Sequence, residues 1–153
     1  MREKLIRLLN EDHKILFVGI GNVLKHDDGV GVYICDRIIS NSNIQTLSVE
    51  QSIENYIGKI NSMNADRLVL VDSVFFNRYP GYTDLLPVNE LIDHTTHTHN
   101  ISLNKTGELF KMPVDVLGIQ PGDVSFGEGL TPQVKKMADE IVGYINKRSG
   151  LTF

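Results

Sequence analysis

The segment ILFVGIGNVLKHDDGVGV, residues 15–32, constrains the fold more than any other part of the chain. Its opening apolar run reads as a strand covered on both faces, ended by Gly19 and Gly21. From Gly29 onward, Val30, Val32, Ile34, Ile38 and Ile39 suit a buried helix that runs to the polar stop at 40–43. Strand, glycine turn and helix make a β-turn-α unit, and such units assemble into parallel sheets. The turn is chemically unusual, because a strand ending in glycines often cradles a phosphate and this one offers the carboxylates of Asp27 and Asp28, which repel it.

The rest of the chain continues the alternation. A short apolar stripe at Leu5, Ile6, Leu8 and Leu9 predicts a brief opening helix, followed by the strand Ile15 to Ile20. Further strands are expected at Ile44 to Val49, at Arg67 to Val71 closing on Asp72, and at Val114 to Ile119, with a helix at Ile53 to Met63. Thr83 to Val88 reads as an edge strand, since Pro87 has no N–H for an inner ladder. A helix beginning near Ser102 precedes the strand at Val114. The last helix, Thr131 to Lys147, has Thr131 as N-cap, Pro132 at its first position and an apolar stripe through Val134, Met137, Ile141 and Ile145. The expected fold is therefore α/β, a single-domain three-layer sandwich spanning residues 1–153. Its mostly parallel twisted sheet has about five strands, with helices on both faces.

Composition narrows the function. Fifteen basic against nineteen acidic side chains, a formal net charge of -4 and no basic run argue against nucleic acid as a partner. No apolar stretch approaches the roughly 20 residues that span a bilayer, and the opening MREKLIRLLNEDHK is too charged for a secretion signal. A cytoplasmic protein without a membrane partner is expected. The single cysteine, Cys35, lies among apolar helical neighbours and reads as a buried, inert thiol. A dinucleotide site is disfavoured because GIGNVL has leucine where the third glycine of that fingerprint belongs.

In open α/β sheets, ligands bind beyond the carboxyl ends of the strands, which is where Asp28 and Asp72 fall. The stretch DHTTHTHNISLN adds His94, His97 and His99 in a polar segment expected on the same rim. Two carboxylates and an imidazole from separate loops suit a divalent metal and leave coordination positions open. Each residue also has a plainer reading: the aspartates as helix caps or loop anchors, the histidines as surface groups.

With these residues in view, the chain resembles the hydrogenase maturation proteases, which trim the carboxyl-terminal tail of the large subunit of nickel-iron hydrogenases. GIGNVLKHDDGVGV is similar to that family's opening signature. LVLVDSV, THNISLN and LGIQPGDVSFGEGLTPQV continue the likeness in the same order over nearly the whole chain. The resemblance implies that Asp28, Asp72 and His99 contact nickel and serve catalysis, with Gly21 and Asn22 as supporting residues and no role assigned to His94 or His97. It implies nickel held by the substrate, with another divalent metal able to occupy the site in the isolated protein. The implied partner is a nickel-iron hydrogenase large-subunit precursor, and the implied activity is a peptidase that reads nickel as its recognition signal. The alternative is a non-catalytic nickel or precursor-binding module that has kept the fold. One departure stands out, because family members often carry an Asp-Gly-Gly turn after the second strand and this chain reads VEQSIEN at 49–55.

Overall fold

Successive residues of a strand point to opposite faces of its sheet, so an unbroken apolar strand must be covered on both sides. The computed structural model, which describes residues 1–11, 13–93 and 98–148, shows this arrangement; the side chains of residues 92, 93, 98–102 and 148 lie outside the description. Strands β1 (Ile15–Ile20), β2 (Ile44–Glu50), β3 (Arg67–Ser73), β4 (Thr83–Pro87) and β5 (Val114–Ile119) form one sheet in the order β2-β1-β3-β5-β4. All neighbours are parallel except β4, which pairs antiparallel with β5 at the edge. The edge position expected from Pro87 is observed.

Helices α1 (Arg2–Asn10), α2 (Val30–Arg37) and α5 (Pro132–Arg148) cover one face of the sheet. Ile15, Phe17, Val69, Val71, Leu117 and Ile119 meet Leu5, Ile34, Val134, Ala138, Ile141 and Ile145 there. The alternate residues Leu16, Val18, Leu68, Leu70 and Val116 face the second layer, with Ile60 of α3 (Ile57–Ser62) and Leu103 of α4 (Thr98–Gly107). The final helix buries the stripe expected of it, with Met137 partly covered. Among the described residues no helix is long and apolar enough to cross a membrane.

Most boundaries fall within a residue of the sequence expectation, and four differences bear on the site or the packing. Helix α2 stops at Arg37 because Ile38 turns to extended backbone, and Ile39, expected inside, is 48% exposed with its N–H bonded to Asn146 Oδ1 at 2.8 Å. The segment expected as one helix at 53–63 is a 3-10 turn, Ile53–Tyr56, followed by α3. Strand β3 runs on through Asp72 to Ser73, because its pairing with β5 continues to Ile119. Helix α4 begins at Thr98, not near Ser102, so the backbone of His99 belongs to its first turn.

Helix α2 lies unusually close to the sheet, and Gly31 permits it. A Cβ at Gly31 would sit 1.9 Å from the carbonyl oxygen of Val71 and 2.6 Å from that of Ile20, and backbone cannot yield as a flexible side chain would. Gly31→Ala is expected to push the helix off the strands and cost about 2–3 kcal/mol, lowering Tm by roughly 4–12 °C. A thermal melt followed by circular dichroism checks this, and an unchanged Tm would show that the contact relaxes freely.

Candidate functional site

The strand order reverses direction between β1 and β3, whose chain neighbours lead off to opposite sides of the sheet. Ligands of doubly wound sheets lie in the crevice at such a point. The turn after β1 and the end of β3 supply the acidic residues found there.

Gly21 shapes the turn. Its φ of 133° suits a residue without Cβ, and a Cβ would lie 1.8 Å from the carbonyl oxygen of Asp28. The chain thus folds tightly back on itself, and the short 3-10 turn His26–Gly29 carries the acidic pair. The backbone N–H of Asn22 donates to Asp28 Oδ2 at 2.9 Å, while the Asn22 side-chain oxygen accepts from Leu24 N at 2.9 Å. Asn22 therefore touches Asp28 through its main chain and braces its own loop with its side chain.

The two adjacent aspartates face different parts of the molecule. Asp27 is fully buried and accepts four hydrogen bonds: Thr131 N to Oδ1 at 2.7 Å, and Gly122 N, Asp123 N and Thr131 Oγ1 to Oδ2 at 2.8, 3.0 and 2.7 Å. It anchors the loop between β5 and α5. That loop is further joined to the turn by His26 N to Gly127 O and Gly127 N to Leu24 O, each 2.8 Å. Thr131 stands at the N-cap position of α5, its carbonyl accepting from Lys135 N, and its hydroxyl is bonded to Asp27.

Asp28, half-buried, instead faces the end of β3. Ser73 Oγ lies 3.3 Å from Asp28 Oδ1, and Ser73 N donates to Asp72 Oδ1 at 2.7 Å, so one residue touches both carboxylates. Asp72 and Ser73 are fully buried. The enclosed Ser73 hydroxyl stands beside Asp28. The sequence reading omitted Ser73; its only signal was its place next to a strand-end aspartate.

Asp28 and Asp72 thus both lie within hydrogen-bond reach of Ser73, Asp72 beneath the surface and Asp28 half-buried. The side chain of His99 lies outside the description; its backbone occupies the first turn of α4, whose last residue, Gly107, packs on Val88 just beyond the edge strand. His94 and His97 also lie outside the described residues. Among the described side chains, no three of His, Cys, Asp and Glu stand together as metal ligands. Cys35 takes no part, since burial, with Asp36 adding a smaller push, raises its thiol well above the ordinary range and keeps it protonated.

The fold is an α/β sheet with two neighbouring carboxylates at its switch point, half-buried Asp28 and fully buried Asp72. The chain belongs to the hydrogenase maturation protease family, whose family model matches residues 42–148. It is similar in structure to a NiFe hydrogenase maturation protease, HycI, from Thermococcus kodakarensis KOD1, with a TM-score of 0.80, 24% identity, and 95% of this chain and 98% of that one covered. The hydrogenase maturating endopeptidase HybD from E. coli superposes with a TM-score of 0.72 at 23% identity over 86% of this chain and 89% of that one. Among relatives by sequence, coenzyme F420 hydrogenase subunit delta of Methanothermobacter thermautotrophicus is 29% identical over 92% of this chain and 98% of its own length.

Proposed function

We propose that this protein is an endopeptidase that removes the carboxyl-terminal tail of a nickel-loaded nickel-iron hydrogenase large-subunit precursor in the cytoplasm. The observation that carries this reading, beyond family membership, is the convergence of Asp28 and Asp72 on Ser73 at the switch point of the sheet. Carboxylates at that place attract a cation, and the nickel carried by the precursor is the cation a maturation protease has to read. Asp28, Asp72 and His99 are the residues assigned to contact it, an oxygen and imidazole donor set suited to a divalent first-row metal.

Cleavage follows as attack of water on the peptide carbonyl. The water oxygen bonds to the carbonyl carbon, and its proton passes to the Asp28 carboxylate. The same proton then goes to the departing amide nitrogen as the C–N bond breaks. Asp28 is suited to this because it is half-buried and held at both oxygens, whereas Asp72 is fully enclosed.

A second reading draws on the relative named as a hydrogenase subunit, namely that the chain binds a hydrogenase polypeptide without cutting it. One incubation separates the two. The purified protein should shorten a nickel-loaded precursor, seen as a faster band on denaturing gels, and leave the nickel-free precursor intact. Binding of the loaded precursor without shortening would favour the second reading, and equal cutting of both precursors would remove nickel as the signal.

A further inference from the structure

A cavity of about 680 Å³ opens at the carboxyl end of β2, lined by residues 48–52 with Asn55 and Tyr56. It adjoins the site directly: Gly21 N donates to Glu50 O at 2.8 Å, and Gly21 packs against the backbone of Asp28. We propose that this cavity is a specificity subsite that takes a lysine or arginine side chain of the precursor, with Glu50 as its counter-charge. The inference rests on the peptidase or precursor-binding reading above and names what the precursor must offer beside its metal.

Three observations carry it. Apart from buried Val49 the lining is polar, with two hydroxyls, two amides and a phenol, so an apolar side chain would strip these groups of water without replacing their hydrogen bonds. Glu50 is the single charged residue of the lining, exposed, and its carboxylate has no hydrogen bond or ion pair among the described residues. Most acidic groups around the turn are engaged, Asp27 and Asp28 by the bonds above and Asp36 by Ser48 Oγ at 2.7 Å. Glu50 also holds a left-handed backbone, φ 54°, a conformation that glycine takes freely and glutamate does not. The chain keeps a carboxylate at this strained position beside the crevice, where a glycine would serve the turn better.

A donor-rich cation on a flexible stem satisfies such a cavity. Its apolar stem lies along the wall, its head meets the carboxylate, and the remaining N–H groups reach hydroxyl and amide oxygens. A peptide lying from this cavity to Asp28 would be fixed in register at one point while its backbone crosses the carboxylates.

The test uses the whole protein and the nickel-loaded precursor, together with precursors in which each carboxyl-terminal Lys or Arg is changed singly to Glu. Glu50→Gln and Glu50→Lys are expected to raise KM by about 10-fold or more, with kcat within about twofold. One charge-reversed precursor should be a poor substrate for the parent and a better one for Glu50→Lys. Glu50→Gly removes the carboxylate and relieves the backbone, so it should melt at or above the parent temperature and show the same KM rise as Glu50→Gln, which separates charge from conformation. If the parent cuts and every precursor has the same KM with all four proteins, the subsite is overturned while the peptidase reading stands. If the parent binds without cutting, titration calorimetry on the same set decides, and charge-paired affinity supports the subsite without the peptidase. A parent that neither cuts nor binds any precursor overturns both.

Discussion

Asp27→Asn is expected to destabilise the protein by about 3 kcal/mol, lowering Tm by roughly 6–12 °C, although the change removes no bulk. All four hydrogen bonds to the Asp27 carboxylate come from donors, three of them main-chain N–H groups that cannot rotate. An asparagine has one acceptor oxygen and one amino group. If the amino group takes the Oδ1 place it faces Thr131 N–H, and if it takes the Oδ2 place it faces Gly122 N–H, Asp123 N–H and the Thr131 hydroxyl. Either way two donors point at each other in a fully buried place, where an unmade hydrogen bond carries its whole desolvation cost. The loop from β5 to α5 then loses its anchor, and α5, whose first turn begins at Thr131, loosens with it. Thermal and urea unfolding measure the effect; a Tm within about 2 °C of the parent would show that Asp27 does not hold this loop.

The neighbouring substitution should do the reverse. Asp28→Asn is expected to leave Tm within a few degrees and to slow precursor cleavage by at least about 100-fold. The amide oxygen can keep the bond from Asn22 N, while the amino group turns to Ser73 Oγ, a hydroxyl that rotates to accept it. Shape and packing survive. On the proposed reading, what disappears is the negative charge assigned to draw the precursor's nickel and the basic oxygen assigned to take the proton from water. Time courses of precursor shortening read the rate, and the melt of the same sample confirms folding. A variant that still cuts within about tenfold of the parent would remove Asp28 from the chemistry, whatever its position.

The contrast between these two aspartates shows where the sequence stopped being informative. Both read as candidates for a cap or a site, since both stand in one polar turn after a strand. Only the folded chain separates them, because the donors that claim Asp27 belong to residues 122–131, brought up by β5 and α5 from the far part of the chain. The same contact accounts for LGIQPGDVSFGEGLTPQV in the family likeness: it supplies N–H groups to the first acid of the pair.

Ser73 escaped notice for a related reason. A strand's end is set by how far its neighbour continues, and β5 carries β3 two residues beyond the expected stop. The cavity at Glu50 was visible in the sequence only as a turn lacking glycines. Only the fold shows that Glu50 takes a left-handed backbone there while its carbonyl accepts from Gly21 N.

The amino-acid sequence by itself determined the alternation of strands and helices, the edge placement of the strand ending at Pro87, and the arrival of two acids at the carboxyl rim. Those features rest on periodicity, backbone dihedral limits and missing donors, which act within a few residues of one another. The tertiary structure decided which carboxylate is tied into the fold and which stays half-buried beside the end of β3, and which residue joins Asp28 to Asp72. Hydrogen bonds at a turn are filled by whatever donors the rest of the fold delivers, and no local pattern encodes where a loop 95 residues away will come to rest.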